Sequence, residues 1–94
     1  MVILLPAIST FFGIIIYMYK ETGNKHHLPH IHAKYAGQEA VFSLDGEIME
    51  GDGNLPAKKV SLIRAWLIIH KEELEANWTI IDEGGQFFRI DPLQ

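Results

Sequence analysis

Cysteine is absent from this 94-residue chain. That excludes disulfides, thiolate metal ligands and thiol nucleophiles together, and it accords with a reducing, cytoplasmic setting. Basic residues are scarce as well: eight Lys and Arg against twelve Asp and Glu leave a net charge of −4. Affinity for nucleic acid rests first on cations meeting phosphates, so non-specific binding of that kind is disfavoured. Lys58, Lys59 and Arg64 are the only local basic cluster. A long apolar run is also missing. The first charge is Lys20, yet Pro6, Ser9, Thr10 and Gly13 divide the stretch before it, and a spanning helix needs about 20 apolar residues. A secretory leader would carry positive charge ahead of its apolar part, and none is there. Residues 1–10 therefore read as a buried lead-in, with no membrane partner expected. Residues 1–7 are unusually apolar for a small domain, which favours a homo-oligomer paired through this segment.

What remains is an ordinary globular composition, 48% hydrophobic and 21% charged, expected to form a single domain over residues 1–94. A chain of this size buries roughly two-thirds of its unfolded surface, enough for one modest core. The block Ile14-Ile15-Ile16-Tyr17-Met18-Tyr19 is β-branched and aromatic without polar alternation, so residues 12–19 read as a central strand covered on both faces. Ala36-Gly37 and Asp45-Gly46 are tight-turn dipeptides between strand-like segments. If each is a two-residue loop, alternation sorts the side chains. Ile31, Ala33, Tyr35, Ala40, Phe42, Leu44 and Met49 share a core face. His30, His32, Lys34, Glu39, Ser43 and Glu50 share the other, with Val41 and Ile48 as apolar exceptions.

Residues 56–77 read as one long helix, with Pro56 in the first turn. Val60, Leu62, Ile63, Trp66, Leu67, Ile69, His70 and Leu74 make its inner arc, and Ile68 is the apolar exception outside it. Residues 78–81 and 87–90 look like two short strands joined across Gly84-Gly85. The fold expected is α+β: an antiparallel sheet of four or five strands with one long helix packed on one face.

Chemistry is suggested in one place. Four of the five histidines, His26, His27, His30 and His32, fall around Pro29. Imidazole ligates metals as a neutral base and exchanges protons near neutral pH. Three readings of the cluster stand. In the first, the histidines are structural, partly exposed on the sheet surface. In the second, His30 and His32 project from one strand face toward a divalent metal such as zinc, with His27 (or His26) as a further ligand and Glu50 or Asp52 as a candidate oxygen donor. In the third, His30 and His32 are catalytic acid and base in metal-free chemistry on RNA, with Lys25 and Lys34 near enough to hold phosphate. His70 reads as a core histidine bonded to a backbone carbonyl or a tyrosine hydroxyl. Glu50 and Asp52 read as a solvated loop, and Lys34 opposite Glu39 as a weak exposed pair.

The chain resembles a known family. The resemblance lies in Ile8-Ser9, the strand Gly13-Ile14-Ile15-Ile16-Tyr17-Met18, and the element His27-Leu28-Pro29-His30-Ile31-His32-Ala33-Lys34-Tyr35. It continues through Glu39-Ala40-Val41, Glu50-Gly51-Asp52, Leu55-Pro56 and the Trp66-bearing helix. This is similar to the small bacterial domain of unknown function 4160. Two departures are Ile31 in place of the more usual phenylalanine, and Gly53-Asn54, which lengthens the loop before Leu55-Pro56. The resemblance implies pairing with a second small protein family, domain of unknown function 2442, as in toxin–antitoxin modules. On it rest two expectations: a toxin-like, RNA-directed protein with an antitoxin-like cognate partner, or a non-catalytic interaction or metal-binding module.

Overall fold

The computed structural model describes residues 6–20 and 28–93. Met1 to Leu5, with most of the apolar lead-in, and Lys25, His26 and His27 lie outside them.

Five strands follow one another in space as they do in sequence, β1 (Ser9–Phe11), β2 (Ile14–Tyr17), β3 (His30–Tyr35), β4 (Gln38–Ser43) and β5 (Ile48–Glu50), all antiparallel. Two of the connections are two-residue turns, while residues 18–29 join β2 to β3. Phe12 and Gly13 (φ 49° and 79°) turn β1 into β2, and Ala36 and Gly37 (φ 51° and 80°) turn β3 into β4. Two successive residues at positive φ give the hairpin turn whose twist matches the strands. The expected strand over residues 12–19 is thus shortened at its start, because Phe12-Gly13 is the turn itself. It is also fully covered on one face only, with Ile14 and Ile16 buried and Ile15 and Tyr17 half-buried.

The β3–β4 register is the one anticipated, with Tyr35 opposite Gln38, Ala33 opposite Ala40 and His32 opposite Val41. The next connection differs. Ser43 and Glu47 close it through a backbone hydrogen bond of 2.8 Å, so Leu44, Asp45 and Gly46 form a three-residue loop. That loop length sets Ile48 opposite Phe42, and a bulge between Val41 and Phe42 then sets Glu50 opposite Val41. Ile48 therefore packs on the core face, where Met49 was expected. The bulge inserts one unpaired residue, Met49, and so returns Glu50 to the face expected for it.

The core is built from Ile14, Ile16, Ile31, Ala33, Ala40 and Phe42 on the sheet and from Ile63, Trp66, Leu67 and Leu74 on the helical side. The helical side is two helices, α1 (Ala57–Ile69) and α2 (Lys71–Asp82), and not one helix over residues 56–77. His70 (φ −108°, ψ 21°) both ends the first and precedes the second. The hydrogen-bond ladder is carried through it, from His70 N–H to Trp66 and from Leu74 N–H to His70, so the axis bends without parting. The bend changes the inner arc: Ile69 is 62% exposed, beside Ile68 at 78%.

Residues 78–81, anticipated as a strand, are the last turns of α2. Leu74 and Asn77 are fully buried on its inner face, and Trp78 and Ile81 pack against the core. Helical spacing of these four outweighs the β-propensity of Trp78-Thr79-Ile80-Ile81, since propensity is a weak prior against burial. Gly84 (φ 81°) stops the helix, with Gly84 and Gly85 N–H bonding the Ile81 and Ile80 carbonyls, so Gly84-Gly85 is a helix terminus and not a hairpin loop.

Beyond it the chain runs extended without joining the sheet. The buried Asn77 amide clamps Phe88 by both of its backbone groups at 3.0 Å, Ile90 N–H bonds the Ile8 carbonyl at 2.9 Å, and the Trp66 indole donates to the Asp91 carbonyl at 2.8 Å. Ile8 in turn donates to Ile16 in β2. The C-terminal segment is thus tied to α1, to α2 and to the lead-in of the sheet.

Candidate functional site

Pro29 introduces β3, and alternation then sends His30 and His32 to the sheet face away from Ile31, Ala33 and Phe42. Glu39 joins them from β4. It pairs directly with Lys34, so it reaches His32 along the diagonal. These placements agree with the expected face. The expected exposure does not hold: His30 is fully buried and His32 is 5% exposed. Two aromatics account for part of the cover. The Tyr19 ring stacks on His32, with centres 4.4 Å apart and planes at 15°, and Trp78 lies 5.1 Å from the His30 ring. The histidine rings stand edge to face, centres 5.3 Å apart.

Hydrogen bonds set the tautomer of both rings. His30 Nδ1 is 2.7 Å from the Leu28 carbonyl, which can only accept, so this nitrogen carries the proton. His32 Nδ1 is 2.7 Å from Glu39 Oε2, and the carboxylate likewise takes its N–H. Tyr19 Oη lies 3.2 Å from the same nitrogen and is the weaker neighbour of that proton. In the neutral ring, Nε2 is then the basic nitrogen of each histidine. This is the tautomer that orienting oxygens impose on histidines acting as metal ligands or general bases.

Glu39 is itself positioned from several sides. Its second oxygen is 3.9 Å from Lys34, and its backbone carbonyl accepts from Asn54 at 2.9 Å. Both partners of the Lys34–Glu39 pair are substantially exposed, so the pair is weak, as anticipated. The loop holding Asn54 fits against β4 because Gly51 has no side chain: a Cβ there would lie 2.4 Å from the Glu39 oxygen and 2.9 Å from Ala40 Cα. Lys34 also sits 5.2 Å above the Tyr17 ring. Lys34 and Glu39 line one wall of a shallow cleft that runs past Ile15, Tyr35 and Gln38.

Among the described residues no set of three His, Asp or Glu side chains is grouped to hold a metal. His30 and His32 are therefore together, while His26 and His27 lie outside the described part. Glu50 pairs opposite Val41 at the sheet edge, and Asp52 is exposed in the next loop. His70 is not part of this site. Its Nδ1 is 2.6 Å from Glu73 Oε1 and its ring packs on Trp66, so its partner is a carboxylate and not the carbonyl or hydroxyl expected. The clearest electrostatic perturbation is elsewhere: hydrogen bonding and charge from Asp45 hold the Lys71 ammonium above its ordinary value, tying α2 to the β4–β5 loop.

Sequence reasoning missed Tyr19, Trp78 and the His32–Glu39 bond. The first two stand in segments read as strands, residues 12–19 and 78–81. The third has a signal in the alternation that puts Glu39 on the histidine face, from which it reaches His32 diagonally.

The family model described as Domain of unknown function (DUF4160) matches residues 13–79. The chain belongs to that family. The match spans the meander from the Phe12-Gly13 turn, the histidine pair, Glu39 and both helices as far as Thr79. No curated protein and no solved structure matches the chain.

Proposed function

We propose that this protein is a small metal-binding module in which His30 and His32 hold a divalent ion such as zinc, with His27 as third ligand. The observation that carries this reading is the common tautomer of the two buried rings, each with its Nδ1 proton given to an oxygen and its Nε2 basic. The spacing suits the same use. With Zn–N bonds of about 2.0–2.1 Å, two imidazoles on one tetrahedral ion have ring centres about 5 Å apart. Here they are 5.3 Å apart. Glu39 then stands behind His32 as the orienting carboxylate of a carboxylate–histidine–metal arrangement.

Protein prepared without a histidine tag should carry close to one equivalent of zinc, nickel or manganese by elemental analysis, or take it up on titration. His30→Ala and His32→Ala should each abolish it. A protein that binds none of the three metals after incubation overturns the proposal.

A second reading is favoured by the His32–Glu39 bond and the neighbouring Lys34. A carboxylate-oriented imidazole beside a cation is equipped for proton transfer on RNA, as in a toxin restrained by an antitoxin-like partner. Burial of both rings ranks it below metal binding, because a base must touch the proton it removes. Growth arrest on induced expression, abolished by His30→Ala and by His32→Ala, would raise it to first place.

A further inference from the structure

Beside the end of β2 lies a mainly apolar cleft of about 260 Å³, lined by Met18, Tyr19, Ile81 and Phe87 with Lys20 at its edge. Segments far apart in sequence meet there: the chain after β2, the end of α2 and the start of the C-terminal segment. Cavities of about 150 Å³ already admit benzene, and sites for drug-sized ligands begin near roughly 300 Å³. This cleft therefore has room for one aromatic ring and a short polar head. Tyr19 and Phe87 give it aromatic walls, which favour a ring over an aliphatic chain.

The charges at the edge narrow the choice of ligand. The Lys20 ammonium is 3.5 Å from the carboxylate of Asp82, the residue after Ile81, and both side chains are more than half exposed. Such a pair is held weakly, so each member is free to take a new partner. A simple anion would meet Lys20 but also Asp82, and a simple cation the reverse. A molecule with an ammonium and a carboxylate on one carbon answers both, replacing one exposed ion pair by two. The termini of a peptide stand too far apart to do this.

We propose that this cleft binds a free aromatic amino acid of the size of phenylalanine. Its ring lies against Tyr19, Ile81 and Phe87, its carboxylate meets Lys20 and its ammonium meets Asp82. The site is distinct from the histidine pair but shares a wall with it, because the Tyr19 ring that lines the cleft also stacks on His32. Occupancy is thus reported at His32 whether or not a metal binds there.

The test uses the full chain, isotope-labelled and freed of metal by chelation, titrated with L-phenylalanine and followed by NMR. Saturable shifts should appear at Met18, Tyr19, Lys20, Ile81 and Phe87 and in the His32 imidazole. 3-Phenylpropionate and 2-phenylethylamine keep the ring and one charge each, and both should bind about fivefold more weakly or worse. Lys20→Gln and Asp82→Asn should weaken L-phenylalanine binding to a similar extent, and their exposure leaves the fold intact. No saturable shift at these residues up to the solubility limit of phenylalanine overturns the proposal. Equal binding of 3-phenylpropionate or of 2-phenylethylamine overturns it as well, because the paired charges would then play no part.

Discussion

His32 donates its Nδ1 proton to Glu39 across a diagonal of the β3–β4 ladder, at 2.7 Å, while its direct partner on that ladder is Val41. The diagonal matters because it leaves Glu39 beside Lys34 and half in solvent while His32 is buried. One carboxylate thereby links a buried ring to the surface.

Glu39→Gln should retain the fold but weaken zinc binding by about 10–100-fold, the usual effect of losing an orienting partner behind a metal-bound histidine. Calorimetric titration of both proteins checks this. Unchanged affinity would remove Glu39 from the site.

Gly51→Ala should destabilise the domain by more than about 2 kcal/mol. It combines a left-handed conformation, costing an L-residue about 1–2 kcal/mol, with a Cβ forced against the Glu39 carbonyl. Gly37→Ala, with the same backbone handedness and open space around it, should show only the backbone cost of about 1–2 kcal/mol. Urea unfolding of the pair separates steric from conformational effects.

Leu67→Ala should cost about 2–5 kcal/mol, as for a buried leucine. Ile69→Ala and Glu72→Ala should each stay within about 0.5 kcal/mol, because both positions are exposed. A large loss at Ile69 would place the bend at His70 incorrectly.

Asn77→Ala should destabilise by about 2–4 kcal/mol, since both backbone groups of Phe88 lose their partner at once. Thr79→Ala, on the exposed side of the same helix, should be near neutral by the same denaturation measurement.

Much of this protein was determined locally, and that part was legible. Period-two alternation and the Ala36-Gly37 turn settle the β3–β4 register, because a one-residue slip would carry Ile31, Ala33 and Phe42 out of the core and the histidines into it. The β3–β4 hairpin, its core face and the shared face of His30, His32 and Glu39 follow from that alone. Tertiary structure decided the rest. Nothing in the residues around His70 marks a bend, for neither glycine nor proline is present, and it is set by how Trp66, Leu74 and Asn77 meet the core. Residues 78–81 became helix because helical spacing lets Leu74, Asn77, Trp78 and Ile81 face the core together, against their own β-propensity. Part of the cover over His32 and His30 comes from Tyr19 and Trp78, which stand 13 and 48 residues along the chain from the rings they meet. Contacts so distant in sequence leave no periodic trace, and they form only once the sheet and helices have brought those side chains together.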